Sequence, residues 1–423
     1  MDRASLRRIA IGDIVGSGGR GSDPEAEAVA SRIIEEVRAG GEAALRKRAE
    51  ALGELSPGDA LFLGKAELEA ALSGLDRPTR ELLERTRNRV AAFARAQRAC
   101  LLDLETPVPG GRAGHRFIPI AKAGCYVPGG RFPLASSALM TAIPAREAGV
   151  ASVWMAGPHP GKETLAAACL AGADGFLAAG GAQAIAALAY GCGPIEARDL
   201  IVGPGGRYVA AAKRVLFGII GTDAPAGPSE LLIIATKSAD PALIAADLLA
   251  QAEHDLAACP ALIAFDEDTV LAVEGELERQ LVLLPALNAG LAREALARAG
   301  WALVARDREE AVAAADRFAP EHLELLVDDP EAWEGQISNA GAVFLGPGSA
   351  EVLGDYGAGP NHSLPTGGAS RFAAGLSVLA FLRARTWLKM DEPSGLAVDS
   401  AAFARLEGLE AHARAADLRR GHA

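Results

Sequence analysis

The chain has no run of about 18 uninterrupted apolar residues, although half of its 423 residues are hydrophobic, so no membrane span is expected. Cysteine is scarce. Cys100, Cys125, Cys169, Cys192 and Cys259 are odd in number and never form a C-x-x-C pair. That excludes a sulfur-only metal site and fits reduced thiols in a cytoplasmic protein. Positive charge is in deficit: 42 basic against 54 acidic residues, a net charge of −12. A general nucleic-acid surface needs a basic face and is not expected, whereas a cationic small substrate is compatible. The start, "MDRASLRRIAIGDIVG", lacks the apolar segment and small-residue cleavage site of a secretory signal. There is no G-x-G-x-x-G either, so any nucleotide site would be irregular in form.

What is present has a clear texture. The length allows two or three domains at ~150 residues each. Residues 1–20 read as a polar arm ending in glycine-rich sequence. "DPEAEAVASRIIEEVRAGGEAALRKRAEAL" and "DRPTRELLERTRNRVAAFARAQRA" follow, each with apolar residues three and four apart. They predict two long amphipathic helices. From Phe117, apolar runs of strand length alternate with helical runs: "FIPIAKAGCYV", "SVWMAG", "GFLAAG" and "DLIVGP" are each followed by a helix. A second series begins at "ELLIIA" and continues through "ALIAFD", "WALVAR", "HLELLV" and "AVFLG". Such alternation implies α/β architecture with two Rossmann-like parallel sheets covered on both faces. The expected division is an arm at 1–20, a discontinuous unit of 21–125 with 230–376, a unit of 126–229, and a helical arm at 377–423. The tail has no core of its own and is expected to dock on a second subunit.

Glycines cluster where strands end, in "YVPGGRFP", "AAGGAQA", "VGPGGRYV" and "APAGPSE". One Gly-Gly after a strand is usually a turn, but several on one sheet suggest a ligand cleft, because glycine lets backbone N–H groups approach an anion. In "PALIAADLLAQAEHD", Ile244, Leu248 and Gln251 share one helix stripe with His254 at its edge, so an amide sits on the face to be buried and needs a partner. A metal ion would serve both Gln251 and His254; a hydrogen bond to a neighbouring loop is the plainer alternative. The glycine-rich loop "EVLGDYGAGPNHSLPTGGASRF" adds Asp355 and His362, and loops this long are often functional. Oxygen donors with imidazoles make a mixed set suited to Zn²⁺. "DRFAPEHLELL" sets Glu321 against His322 after a proline, either an acid/base pair or a polar bend. Glu407 and His412 are five apart in a terminal helix, roughly 140° around it, so periodicity alone reads them as a solvated face.

In order along the chain, "GCYVPGG", "GGAQAIAALAYG", "VGPGG", "PAGPSE", "LLAQAEHD", "FAPEHLEL", "GDYGAGPNHSLPT" and "EGLEAHA" resemble the histidinol dehydrogenase family over almost the whole chain. The resemblance implies a homodimer with intertwined arms and a shared active site. It implies zinc held by Gln251, His254 and Asp355, with His412 from the other subunit. Substrate contacts would be Ser229, Gln251, His254, His322, Asp355, His362, Glu407 and His412. NAD positions would be Tyr126, Gln183 and Gly206, where the family usually has asparagine and this chain reads "GPGG". One hydrogen bond fewer is worth ~1 kcal/mol.

The expected activity is NAD-dependent four-electron oxidation of L-histidinol to L-histidine through the aldehyde. His322 would be the base, Glu321 would deprotonate the hydrating water, and zinc would orient the substrate. Three other classes compete with it. A paralogous dehydrogenase of another small alcohol, such as a sulfopropanediol, would need the same metal and NAD. A zinc hydrolase would consume no NAD. A non-catalytic binding protein would tolerate Glu321→Gln and His322→Asn.

Overall fold

Glu230–Ala235 is buried along its whole length, as a strand must be when helices cover both faces of its sheet. It lies inside a six-stranded parallel sheet in the order Arg7–Arg8, Trp301–Val304, Cys259–Ala264, Glu230–Ala235, His322–Leu326, Ala342–Leu345. A second six-stranded sheet runs Phe62–Gly64, Gly175–Leu177, Ser152–Ala156, Lys122–Tyr126, Leu200–Val202, Gly221–Thr222, and only the Phe62–Gly64 edge is antiparallel. This computed structural model describes residues 5–14, 23–129, 134–224 and 227–421. Parts of the glycine motifs at 126–133 and 224–230, and most of the glycine-rich end of the N-terminal arm, lie outside the described residues.

Each sheet is wound the same way. The chain enters at an inner strand, steps twice to one side, returns, and steps twice to the other, with an edge strand from an earlier segment completing the row. The order therefore reverses beside Lys122–Tyr126 in one sheet and beside Glu230–Ala235 in the other, and such a reversal opens a crevice between neighbouring strand ends. The two sheets meet through different ends. Chain direction carries Gly221–Thr222 through 223–229 into Glu230–Ala235, so the carboxyl ends of the earlier sheet face the amino ends of the later one. A small cavity of about 60 Å³ marks the meeting, lined from one side by Pro204 and Asp223 and from the other by Ser229, Glu321 and His362.

Both strand–helix series are realised, and three expectations are corrected. Helices Pro24–Ala51 and Arg77–Ala99 belong with the earlier sheet, not with residues 230–376. Ala26, Ala30 and Ile33 pack in one core with Ala184, Ile185 and Leu188. Val90, Ala91 and Ala94 pack in another with Leu139, Ala142 and Ile143. The reason is steric: helices this rich in alanine bring their backbones close, and the small-residue stripes fit one another. The first of these helices also breaks at Gly41, whose φ is +54°.

The segment 1–20 is more than an arm, because Arg7–Arg8 adds an edge strand beside Trp301–Val304. The segment 377–423 is not wholly helical. Leu382–Met390 is a strand paired antiparallel with Gly111–Pro119, which pairs in turn with Leu104–Val108. Among the described residues its helical parts are a short 3-10 helix, Val378–Phe381, and two α-helices, Ser394–Leu406 and Glu410–Asp417, separated at Gly408 with φ +77°.

Candidate active site

Helix Pro241–Ala252 buries Ile244, Leu248 and Gln251 completely, as its stripe predicts. Among the described residues, neither the Nε2 nor the Oε1 of Gln251 has a hydrogen-bond partner. An unpaired buried amide is costly, so this one points to a ligand outside the chain. His254 follows the helix end, its side chain 40% exposed to the cleft, with Nε2 4.0 Å from Asp355 Oδ2. Asp355 closes the short helix Glu351–Asp355. Its Oδ1 lies 3.8 Å from His322 Nε2 and 4.0 Å from His362 Nδ1. Three imidazoles thus converge on one carboxylate, with the Gln251 amide on the same helix as His254.

Strand pairing and turn chemistry aim these groups. Ala319, at φ +53°, ends helix Arg308–Phe318 in the left-handed conformation, and Pro320 prevents its continuation. Glu321 and His322 then open the strand His322–Leu326, both buried. His322 Nδ1 meets the Glu230 carbonyl at 3.1 Å, which assigns the ring proton to Nδ1 and leaves Nε2 as a buried lone pair without a partner. The Glu230 N–H donates to Glu321 Oε2 at 3.0 Å, and the Glu321 N–H donates to Glu230 Oε2 at 3.3 Å. His362 Nδ1 lies 3.1 Å from the Asp355 carbonyl oxygen.

Burial dominates the electrostatics. It lowers His322 to about 3 and His362 to about 4, with neighbouring imidazoles adding to the effect. His254 is lowered by burial as well, since its ring is exposed only into a concave cleft. Burial raises Asp355 to about 7 and pushes Glu321 and Glu351 well above the usual carboxylate range, with nearby carboxylates reinforcing both. The site offers neutral imidazoles, as metal binding requires, beside carboxylates that lack a counter-charge.

Ligand atoms of His254, Glu351 and Asp355 lie within 4.8 Å of one another and could hold a metal ion. With the unpaired Gln251 amide, the donor set of amide, carboxylate and imidazole fits Zn²⁺. His254 also opens onto a larger cavity of about 720 Å³, walled by Leu82, Leu139, Leu291 and Tyr356.

At the carboxyl ends of the earlier sheet, Tyr126 Oη accepts from the Gly181 N–H at 3.0 Å, and its phenol is raised to about 12 by burial. Gln183 Nε2 donates to Glu54 Oε2 at 3.2 Å. Gly206 caps helix Arg207–Leu216 with no side-chain bond, and a Cβ there would meet nothing within 4 Å. Open backbone at a helix start beside glycine-rich strand ends fits a dinucleotide. Glu407 and His412 are exposed on the tail, and within one chain neither bonds to the cluster. The structure adds residues that the sequence reading missed. Glu230 was signalled by a charge opening an apolar strand, and Glu351 by standing one helical turn before Asp355; nothing in the sequence marks Glu54.

The histidinol dehydrogenase family model matches residues 19–420. The chain belongs to the histidinol dehydrogenase family. A histidinol dehydrogenase of Thermus thermophilus is 47% identical over 404 residues, spanning 94% of this chain and 95% of that protein. One of Cereibacter sphaeroides is 46% identical over 407 residues, spanning 93% and 92%. The crystal structure of histidinol dehydrogenase from Elizabethkingia anophelis superposes with a TM-score of 0.92 at 29% identity, covering 99% of this chain and 98% of that one.

Proposed function

We propose that the chain catalyses NAD-dependent, four-electron oxidation of L-histidinol to L-histidine through L-histidinal, as a cytoplasmic homodimer with shared active sites. What carries the reading is the Gln251 amide, buried without a partner beside imidazoles gathered on Asp355, in a member of this family. The earlier sheet with its helices would be the NAD side, and residues 230–376 would supply the metal and catalytic groups.

When bound, NAD accepts hydride, and zinc supplies orientation of the substrate's imidazole and amine with charge that favours ionised carboxyls. Gln251, His254 and Asp355 would hold the metal, with His412 of a second copy. Tyr126, Gln183 and Gly206 would line the cofactor. Ser229, His362 and Glu407 would join the ligand residues and His322 around the substrate.

His322 Nε2 takes the hydroxyl proton as hydride leaves the carbinol carbon, and the aldehyde stays in the site. Glu321 then takes a proton from water as its oxygen bonds to the carbonyl carbon. Loss of a second hydride, to a second NAD, from that hydrate leaves the acid, whose remaining proton passes to solvent to give the carboxylate. Two successive steps at one carbon need two proton acceptors, and adjacent residues at one strand start supply them. The test is stoichiometric: two NADH per histidinol, abolished by a chelator and restored by Zn²⁺, supports the reading. No NADH from histidinol overturns it in favour of another alcohol.

A further inference from the structure

We infer that Glu230 is a positioning residue for the aldehyde-to-acid half of the reaction, an inference that rests on the activity proposed above. Its side chain is completely buried at the first position of the strand Glu230–Ala235. Parallel pairing sets Leu231 opposite His322, which places Glu230 level with Glu321.

Among the described residues, four hydrogen bonds tie this one residue to the site. Its N–H holds Glu321 Oε2 at 3.0 Å, and its own Oε2 accepts the Glu321 N–H at 3.3 Å. Its carbonyl oxygen meets His322 Nδ1 at 3.1 Å. Its Oε1 accepts the Gly367 N–H at 3.1 Å, from the glycine-rich loop that also carries His362. Glu321 and His362 both line the small cavity between the sheets, together with Ser229.

The side chain and the backbone of Glu230 divide this work. The backbone holds His322 through the carbonyl and Glu321 Oε2 through the N–H, and any residue at 230 retains both. The start of the Glu321 segment and the Gly367 loop are held by the carboxylate, each through one oxygen. A glutamine of nearly equal size must turn its NH₂ toward one of those N–H groups, donor against donor, so one anchor is lost. Without the anchor at its N–H, the main chain under Glu321 would shift and carry its carboxylate off line, while His322 stays aimed by the Glu230 carbonyl. Small misplacements of a catalytic group cost rate steeply.

The experiment follows NADH separately from L-histidinol and from L-histidinal in single turnovers of the zinc-loaded enzyme. Glu230→Gln is expected to slow the step from the aldehyde by about tenfold or more, and the step from the alcohol by no more than about threefold. Glu321→Gln should be selective in the same sense, and the double variant no slower from the aldehyde than Glu321→Gln alone, because Glu230 acts through Glu321. Equal slowing of both halves, or losses that add in the double variant, overturns the assignment. Should Glu230→Gln not fold, Glu230→Asp, which withdraws the charge by one methylene, is read by the same outcomes. A wild-type chain that makes no NADH from either substrate overturns the activity instead, so the two failures are distinct.

Discussion

His322 turns Nδ1 to a backbone carbonyl at 3.1 Å, so its remaining nitrogen is fixed as an acceptor facing Asp355 3.8 Å away. Asparagine keeps part of that shape without the basicity. His322→Asn is therefore expected to slow the first oxidation by ~10²–10⁴-fold while zinc content, read by metal analysis, stays near one per chain. At Gly206 the open space around an added Cβ admits asparagine without a clash. Gly206→Asn should lower the KM for NAD up to about fivefold, the equivalent of one hydrogen bond, leaving the KM for histidinol unchanged; an unaltered or higher KM would count against Gly206 lining the cofactor. The burial of Gln251 was legible beforehand from its place on an apolar stripe, but its lack of a partner among the described residues was not, since a hydrogen bond to a neighbouring loop was the plainer reading. Glu54 was not legible, because its role depends on a helix start, Gly180 to Gln183, brought near only by folding.

Carboxylates recur along three packed elements: Asp247 on Pro241–Ala252, Glu324 on His322–Leu326, and Glu351 with Asp355 on the short helix after them. Burial raises Glu324 to about 8 and Asp355 to about 7. Both values exceed those of the unfolded chain, so the folded state binds the extra protons. Their stabilising contribution is present in acid and is lost as pH rises through the folded values. Metal-free protein should therefore lose thermal stability as pH rises from about 4, the ordinary carboxylate value, to about 8, and Glu324→Gln should flatten that slope; a melting temperature that rises between about pH 5 and 8 in chelator would contradict it. A Cβ added at Gly203, whose φ is +112°, would collide with the Tyr126 carbonyl. Gly203→Ala is expected to cost more than ~1 kcal/mol of stability and to raise the KM for NAD. The alternating strand–helix units could be read from periodicity, since each signal is local. The Leu104–Pro119 hairpin could not, because its pairing with Leu382–Met390 joins segments far apart in the chain. The split of the tail at Gly408 was likewise hidden, a single glycine being tolerated in many helices.

Within one chain the molecule gathers Gln251, His254 and Asp355 and leaves Glu407 and His412 exposed on the tail, beyond the strand Leu382–Met390. If a second copy supplies them, inactive His322→Asn and His412→Ala proteins should regain activity on mixing after dissociation. Random pairing of two defective chains gives about a quarter of wild-type turnover, since half the dimers then carry one intact site. No recovery would mean that each tail serves its own chain. Donation in trans is an expectation that rests on family resemblance alone, because nothing in the helical spacing of Glu407 and His412 distinguishes a donated ligand from a wetted surface.

The two sheets share one winding but are set head to toe across the cleft. The candidate site thereby lies at one rim of the later sheet, and the opposite rim, where Thr236 and Ser238 bond to each other and Ser238 to Asp328, looks away from it. Mutational tolerance in that half should be lopsided along the strand axis: permissive past Ala235 and Leu326, and unforgiving at the end where those same strands begin.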